Sequence, residues 1–538
     1  MLNSRLWTWV RHDKGRYFKE KEEGEMRNLL QTLEHWVKLN PNKELAIDVD
    51  NDVRYTYAQV YDRAKRLAGG LKKLGVKKGA RIANMMYNSY IYYDLYYGLS
   101  AGGYILVPLN LRLSPQELIY QINDSGASVL LFDPDFSDTV LKIKNEINVK
   151  HFVCTYGDPP FDGVIKYDDL INAEPYVAEV EEQDLFGIYY TGGTTGKAKG
   201  VMLSHKNIIA NAVHLILTTG MRGDHIALHA APMFHLADGA VNFGVTLVGG
   251  THVLVKRFEP LAVMEAIQKE KVTCTLLVPT MINMVINHPA VKEYDFTSVR
   301  VVFYGASPIA PDVLKRAIDV FDCDFIQLYG MTEAGPILTI LLPEDHKKPE
   351  LLSAAGRQAI GVEVRVVDEN GNDVAPGGVG EVIARGDNIM VGYWGKPLQT
   401  EEVLRDGWYW TQDLARIDEN NYIYIVDRAK DMIISGGENI YSVEVEAVIY
   451  KHPAVLEVAV VGAPDEKWGE VVKAVVVLKP GKEVDEKELI DFCKQHIASY
   501  KVPKSIDFVE ELPKSGAGKI LKRVIRDKYW KGRERRVA

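Results

Sequence analysis

The sequence predicts an α/β protein with a large N-terminal domain of βαβ subdomains plus a small β-barrel, followed by a small mobile α/β C-terminal domain. Three observations predict it. The chain has 538 residues, too many for a single hydrophobic core. Strand-length apolar runs alternate with helical segments as far as about residue 350, the pattern of βαβ units around a parallel sheet. There the pattern gives way to VEVRVVDENGNDVAPGGVGEVIARG, whose Asn-Gly and Pro-Gly-Gly turns read as antiparallel hairpins.

Residues 1–25 read as an extension, and helical periodicity begins at NLLQTLEHWVKL. In the first subdomain, about 26–180, the runs SVLLF (128–132) and HFVCTY (151–156) alternate with helices such as YAQVYDRAKRLAGGLKKLG. The second, about 181–350, places LFGIYY before a glycine-rich loop, helix PLAVMEAIQKEK before TCTLLV, and helix PDVLKRAIDVF between VRVVFYG and DFIQLYG. The barrel is expected over 351–429, which closes an N-terminal domain of 1–429. A compact unit follows over 430–538: strand DMIIS, helix VEVEAVIYKH, strands VLEVAVVG and VVKAVVVLK, helix DEKELIDFCKQHIA and strand SIDFVE.

Composition excludes several classes. With 47% hydrophobic and 25% charged residues the chain is globular. A net charge of −9 argues against a nucleic-acid-binding face, so phosphate must be handled by local donors. Cys154, Cys274, Cys323 and Cys493 lie far apart without a CxxC pair, as expected of inert thiols in a reducing, cytoplasmic setting. The N-terminus has only a short apolar patch among charges, so neither a signal peptide nor an integral membrane segment is expected. The longest apolar candidate, His235–Val255, contains Asp238, Asn242 and His252 and reads as core around a pocket. Self-association as a homodimer stays open.

The most informative stretch is YTGGTTGKAKGVMLSHK, residues 190–206. Gly192, Gly193 and Gly196 can take the positive φ that aims consecutive N–H groups at one anion. Thr191, Thr194 and Thr195 add hydroxyl donors, and Lys197 and Lys199 add charge. It is not the common P-loop, because Thr191 and Ala198 stand where that pattern needs Gly and Ser or Thr.

Four further segments follow in order: YGMTEAG (329–335), WYWTQDLARID (408–418), DRAKDMIISGGENIYSVEVE (427–446) and PKSGAGKILKR (513–523). Together with the loop they resemble the adenylate-forming superfamily of acyl-CoA synthetases, peptide-synthetase adenylation domains and beetle luciferases. The resemblance runs from about residue 26 to 525. It implies an ATP-dependent acid:CoA ligase using ATP, Mg²⁺ and coenzyme A, with a carboxylic acid, expected to be a fatty acid, activated as an acyl-adenylate.

Carried over residue by residue, the resemblance makes Thr191, Gly192, Gly193, Thr194, Thr195, Gly196, Lys197 and Lys199 the holder of the β and γ phosphates. Tyr329 lies against adenine, and Gly305 and Ala306 form its other wall. Gly330 and Met331 continue the nucleotide site, Thr332 serves the α-phosphate, and Glu333 is the Mg²⁺ ligand. Asp413, in TQD where the family usually has TGD, accepts the ribose hydroxyls, and Arg428 assists. Lys519 bridges carboxylate and α-phosphate oxygens as charge develops. Lys430 is the pivot between the adenylating and thioester-forming arrangements. Gly436 and Gly437 line the pantetheine arm, and the acyl tunnel is assigned to His235, Gly239, Val278 and Gly330.

Trp stands at the place of Gly330 in acetate-activating relatives, which implies a pocket longer than acetate needs, with Gly330→Trp expected to favour short acids. His225, His229 and His235 suggest metal, but no HExxH pattern joins them. Amino-acid-activating relatives usually carry Asp where this chain has His235, which points to an acid without an amino group. Two alternatives stay open: a ligase loading a separate carrier protein, and a non-catalytic nucleotide- and acyl-binding homologue. A luciferase-like oxygenase ranks behind both.

Overall fold

Two largely parallel sheets stand back to back in the large domain, because their strands are apolar on both faces and each face needs a cover. The computed structural model describes residues 26–191, 197–307, 309, 311–428, 431–435, 438–465, 467–515 and 519–531. One sheet has eight strands in the order Gly392–Tyr393, Lys199–Ser204, Leu185–Thr191, Ile105–Pro108, Arg81–Met85, Val129–Phe132, His151–Cys154 and Val164–Lys166. From Leu185–Thr191 onward every pairing is parallel. The second has nine, running from Arg357–Gln358 through Ile337–Leu341, Asp324–Gly330, Val301–Gly305, Cys274–Leu276, Ile226–His229, Thr251–Leu254 and Glu44–Asp48 to Val53–Thr56.

Helices α1 (Ile91–Gly102) and α2 (Leu236–Leu247) lie between the sheets. Every residue of α1 is buried, and a helix hydrophobic all round is a core helix. Tyr92, Tyr93, Tyr96 and Tyr97 fill this layer. Their neighbours Leu45 and Leu254 come from the nine-stranded sheet, and Leu106 and Leu131 from the eight-stranded one. The apolar stretch after His235 is thus a buried helix and a strand, as its composition implies.

Two boundaries differ from the sequence reading. Position 180 separates no sheets: Leu185–Thr191 and Lys199–Ser204 add to the sheet of the first subdomain, while Glu44–Asp48 and Val53–Thr56 add to that of the second. Segment 351–429 forms a five-stranded antiparallel sheet of Val362–Val367, Val379–Gly386, Trp408–Ile417, Leu404–Arg405 and Ile423–Arg428. Among the described residues its first and last strands do not pair, so it is open rather than a closed barrel. Gly392–Tyr393 leaves it to pair with Lys199–Ser204. Strand partners are chosen by tertiary packing, which local alternation does not encode.

A fourth sheet lies C-terminal to Arg428, built from Ile433–Ser435, Glu438–Ile440, Val455–Asp465, Gly469–Leu478 and Ser505–Phe508. Helices α3 (Ser442–Ile449) and α4 (Lys522–Tyr529) flank it. Ile433, Val445, Val460, Val476 and Leu489 give it a core of its own.

Candidate active site

Open α/β sheets bind ligands at the carboxyl ends of their parallel strands, where loops diverge. The residues singled out from the sequence sit there. Thr191 ends strand Leu185–Thr191, His235 follows Ile226–His229, Val278 follows Cys274–Leu276, Ala306 follows Val301–Gly305, and Tyr329–Glu333 close Asp324–Gly330. Met331 packs against the cores of both sheets, so the site lies at their seam.

On the nucleotide side, Asp413 is buried and paired in register with Arg428. Its Oδ1 lies 3.2 Å from Arg428 Nε, and its Oδ2 accepts the Tyr329 hydroxyl at 2.9 Å. The three side chains form one cluster. Gln412, where the family has glycine, takes φ 62°, and its N–H donates to Glu381 Oε1 at 2.8 Å. The departure keeps the left-handed turn that aims Asp413 inward, at the cost of a conformation that L side chains disfavour. Ala306 likewise sits at φ 64°.

Glu333 Oε1 accepts the Tyr393 hydroxyl at 3.0 Å, and the Lys199 ammonium lies over the Tyr393 ring at 4.7 Å. Lys197 stacks over Tyr120 at 5.1 Å. These aromatic supports were not visible from sequence, because Tyr393 arrives from the segment expected in the barrel. Gly192, Gly193, Thr194, Thr195, Gly196, Lys430, Gly436 and Gly437 lie outside the described residues.

On the acyl side, His235 caps α2, its Nδ1 accepting the Ala237 N–H at 3.2 Å. A neutral ring with that acceptor carries its proton on Nε2. Burial and the nearby Lys519 ammonium push the His235 pKa down to about 4, against a smaller upward pull from Asp238. Lys519 is thus close to a residue 284 positions earlier (519 − 235). Backbone contacts tie it to Ser515: Ser515 N–H donates to Lys519 O at 2.7 Å, Lys519 N–H donates to Ser515 Oγ at 3.2 Å, and Arg112 of the large domain donates to Ser515 O at 3.2 Å.

Behind His235 runs a buried chain. His229 Nδ1 meets both oxygens of Asp238 at 2.9 Å, His229 Nε2 meets His252 Nδ1 at 2.9 Å, and His252 Nε2 meets Thr246 Oγ1 at 2.9 Å. Every member is at most 1% exposed. His229 thus meets the Asp238 carboxylate on one side and His252 on the other, and His252 bridges His229 and Thr246. His225 stands apart, bonded to Thr273 Oγ1 at 3.2 Å. Among the described residues no cluster of three His, Cys, Asp or Glu is placed to hold a metal.

Residues 33–394 match the family model for the AMP-binding enzyme, and 444–519 match its C-terminal domain. The chain belongs to that family, in its acyl-CoA synthetase branch. A feruloyl-CoA synthase of an Amycolatopsis species is 40% identical over 88% of this chain and 94% of its own. A long-chain-fatty-acid–CoA ligase of Mycobacterium tuberculosis is 34% identical, covering 94% and 99%. The crystal structure of an anthranilate CoA ligase with anthranoyl-AMP superposes with TM-score 0.86 at 26% identity, covering 93% and 97%.

One expectation for this AMP-binding enzyme needs correction. A Cβ at Gly330 would lie 2.0 Å from Pro336 O and 3.0 Å from Leu338 N, so position 330 faces the backbone of strand Ile337–Leu341 and not an open channel. Glycine there permits close strand approach. Gly330→Trp, and even Gly330→Ala, should lose about 3 kcal/mol or more instead of shortening the preferred acid. Soluble yield and thermal midpoint of Gly330→Ala check this; a native midpoint would restore the pocket reading. Gly239 is an interior residue of α2, and a Cβ there would meet only Leu236 and Phe243 side chains, at 3.1 and 3.3 Å. Val278 is buried in the core of the nine-stranded sheet.

Burial also lowers His205 and His225 to about 4. Their folded pKa lies below the unfolded value near 6.5, so as pH falls from about 6.5 toward 4 the unfolded chain takes up protons that the folded chain refuses. Stability should drop through that window by on the order of 1–3 kcal/mol per histidine. Urea unfolding at pH 7.5 and 5.0 measures it; identical midpoints would refute neutral burial.

No helix among the described residues is long and apolar enough to cross a membrane.

Proposed function

We propose that this AMP-forming acid:CoA ligase takes an apolar aryl- or alkyl-carboxylic acid without an amino group, activated as acyl-adenylate and passed to coenzyme A. The observation that carries the reading is the tie of Lys519 to Ser515 and of Ser515 to Arg112 of the large domain, which brings the Lys519 ammonium within electrostatic reach of the neutral His235 at the carboxyl ends of the strands. A cation at that point can neutralise charge as a carboxylate oxygen attacks the α-phosphorus and the bond to pyrophosphate breaks. In the second step the CoA thiolate attacks the acyl carbonyl, the acyl C–O bond breaks, and AMP leaves with the electron pair.

Each residue has a task in that sequence. Asp413 and Arg428 would hold the ribose, with Tyr329 against adenine. Thr191, Lys197, Lys199 and the glycine loop would hold the departing pyrophosphate, and Thr332 the α-phosphate. Glu333 fits a magnesium ion, because it offers a hard carboxylate oxygen braced by Tyr393. Such an ion would neutralise phosphate charge. His235 Nε2–H would donate to the acid. Lys430 remains the proposed pivot and Gly436 and Gly437 the path of the pantetheine arm.

The absence of an amino group on the acid rests on Asp238. It is the acidic residue nearest His235 along the chain, and His229 engages both of its oxygens, so it is not available to an ammonium. The flanking Phe234, Leu236 and Phe243 are apolar. Pyrophosphate release with ATP and ferulate, benzoate, hexanoate, palmitate or phenylalanine tests the reading. At least one of the first four should turn over and phenylalanine should not. Turnover confined to phenylalanine would overturn it.

A further inference from the structure

Ionic and hydrogen-bonding side chains meet at the junction between the large and the small domain. Asp427 belongs to the large domain, since its strand pairs with Trp408–Ile417 and places it beside Leu414. Ser442 is the first residue of α3 in the small domain. The Asp427 carboxylate is 3% exposed. Its Oδ2 accepts both the Ser442 N–H, at 2.6 Å, and the Ser442 hydroxyl, at 2.8 Å, while its Oδ1 accepts the Arg428 N–H at 2.8 Å. The first N–H groups of a helix have no partner within it, and a carboxylate there also meets the positive end of the helix dipole.

The bond continues toward Lys519. Ser442 Oγ accepts from Lys522 Nζ at 2.6 Å, so one hydroxyl donates to the large domain and receives from the small one. Lys522 also pairs with Glu446 at 2.8 Å. It opens α4, three residues after Lys519, and Arg526 one turn on pairs with Asp431 at 2.9 Å. Whichever bond turns when the small domain rotates must lie between Arg428 and Ser442. Any such rotation stretches the Asp427–Ser442 contact.

We propose that Asp427 and Ser442 form a latch across the domain junction that holds the adenylating arrangement and, through Lys522, positions Lys519 at the acyl site. The proposal rests on the two-step reading above for its kinetic part only. Both are positioning residues: neither touches the reacting atoms. The latch must open before the thiol step, so its strength sets the balance between the two arrangements.

The test uses full-length protein with nitroxide labels at Leu398→Cys, 71% exposed, and Glu483→Cys, exposed in the small domain, in a Cys323→Ser background. The variants are Asp427→Asn and Ser442→Pro. Proline removes both donors yet suits the first helical position, and Tyr441 before it is already extended at φ −86°, ψ 118°. Ser442→Ala, which deletes only the hydroxyl, serves as a milder third variant. In nucleotide-free protein the distance distribution should shift toward a second population in Asp427→Asn and Ser442→Pro, and less in Ser442→Ala. ATP–pyrophosphate exchange should fall about five- to twenty-fold, while thioester formation from supplied acyl-AMP should not fall. Distributions that superimpose on the parent overturn the latch, as does a shifted distribution with unchanged exchange. The distance measurement needs no acid, so a parent that exchanges no pyrophosphate sinks the functional reading alone.

Discussion

Lys519→Ala should lower acyl-adenylate formation by roughly 100- to 1,000-fold, the loss expected when a preorganised charge is removed from a developing anion. Its thermal midpoint should stay within a degree or two of the parent, because Lys519 is exposed and exposed substitutions cost little. Thioester formation from supplied acyl-AMP should change less than about five-fold on the proposal that this step uses a second domain arrangement. A second consequence concerns His235. Removing the neighbouring ammonium removes one of the two influences that lower its pKa, so the ring should titrate at a higher pH in the mutant, visible in its imidazole proton resonances. Equal loss in both half-reactions would remove Lys519 from the adenylation step.

The largest stability effect should come from His229→Ala. That change strands the Asp238 carboxylate, 1% exposed, and the His252 ring, fully buried, without the partner each now has. Leaving a buried carboxylate without its hydrogen-bond donor typically costs about 3–5 kcal/mol, more than the lost contact itself, because the remaining charge stays desolvated. His229→Asn, whose amide can still donate to Asp238, should recover part of it, and Asp238→Asn should cost less than His229→Ala. The α2 start that carries His235 would loosen with it, so KM for the acid should rise in His229→Asn while the folded fraction stays near the parent's. Calorimetric midpoints of the three variants decide it. A His229→Ala midpoint within a degree of the parent would show that the chain carries no stabilising charge interaction.

How much of this was legible varies from residue to residue. Lys519 was legible because glycines at 516 and 518 and the GKILKR context mark it locally. Asp413 was marked by its motif despite the departure at Gln412, and the structure keeps the left-handed turn there at φ 62°. Gly330 was misread: a missing side chain can mean an open channel or a close backbone, and only Pro336 O at 2.0 Å tells which. Tyr393, Asp427 and Ser442 carry no local signal. A tyrosine from a distant edge strand, an aspartate before the family arginine and a serine at a helix start look ordinary until the chain is folded.

The sequence by itself determined the family, the α/β class, the run of helices and strands and the identity of the charged and hydroxyl groups, because motif spacing and hydrophobic period are local properties. Only the tertiary structure decided which strands share a sheet, that 44–56 and 185–204 exchange places between the two sheets, and that Lys519 approaches His235. Pairing and long-range approach depend on burying apolar faces contributed by segments hundreds of residues apart, and on choosing for each buried charge a partner that desolvation makes obligatory. His229 is the clearest case: its residue type suggested metal, whereas its burial against Asp238 made it the hydrogen-bond partner of a buried carboxylate.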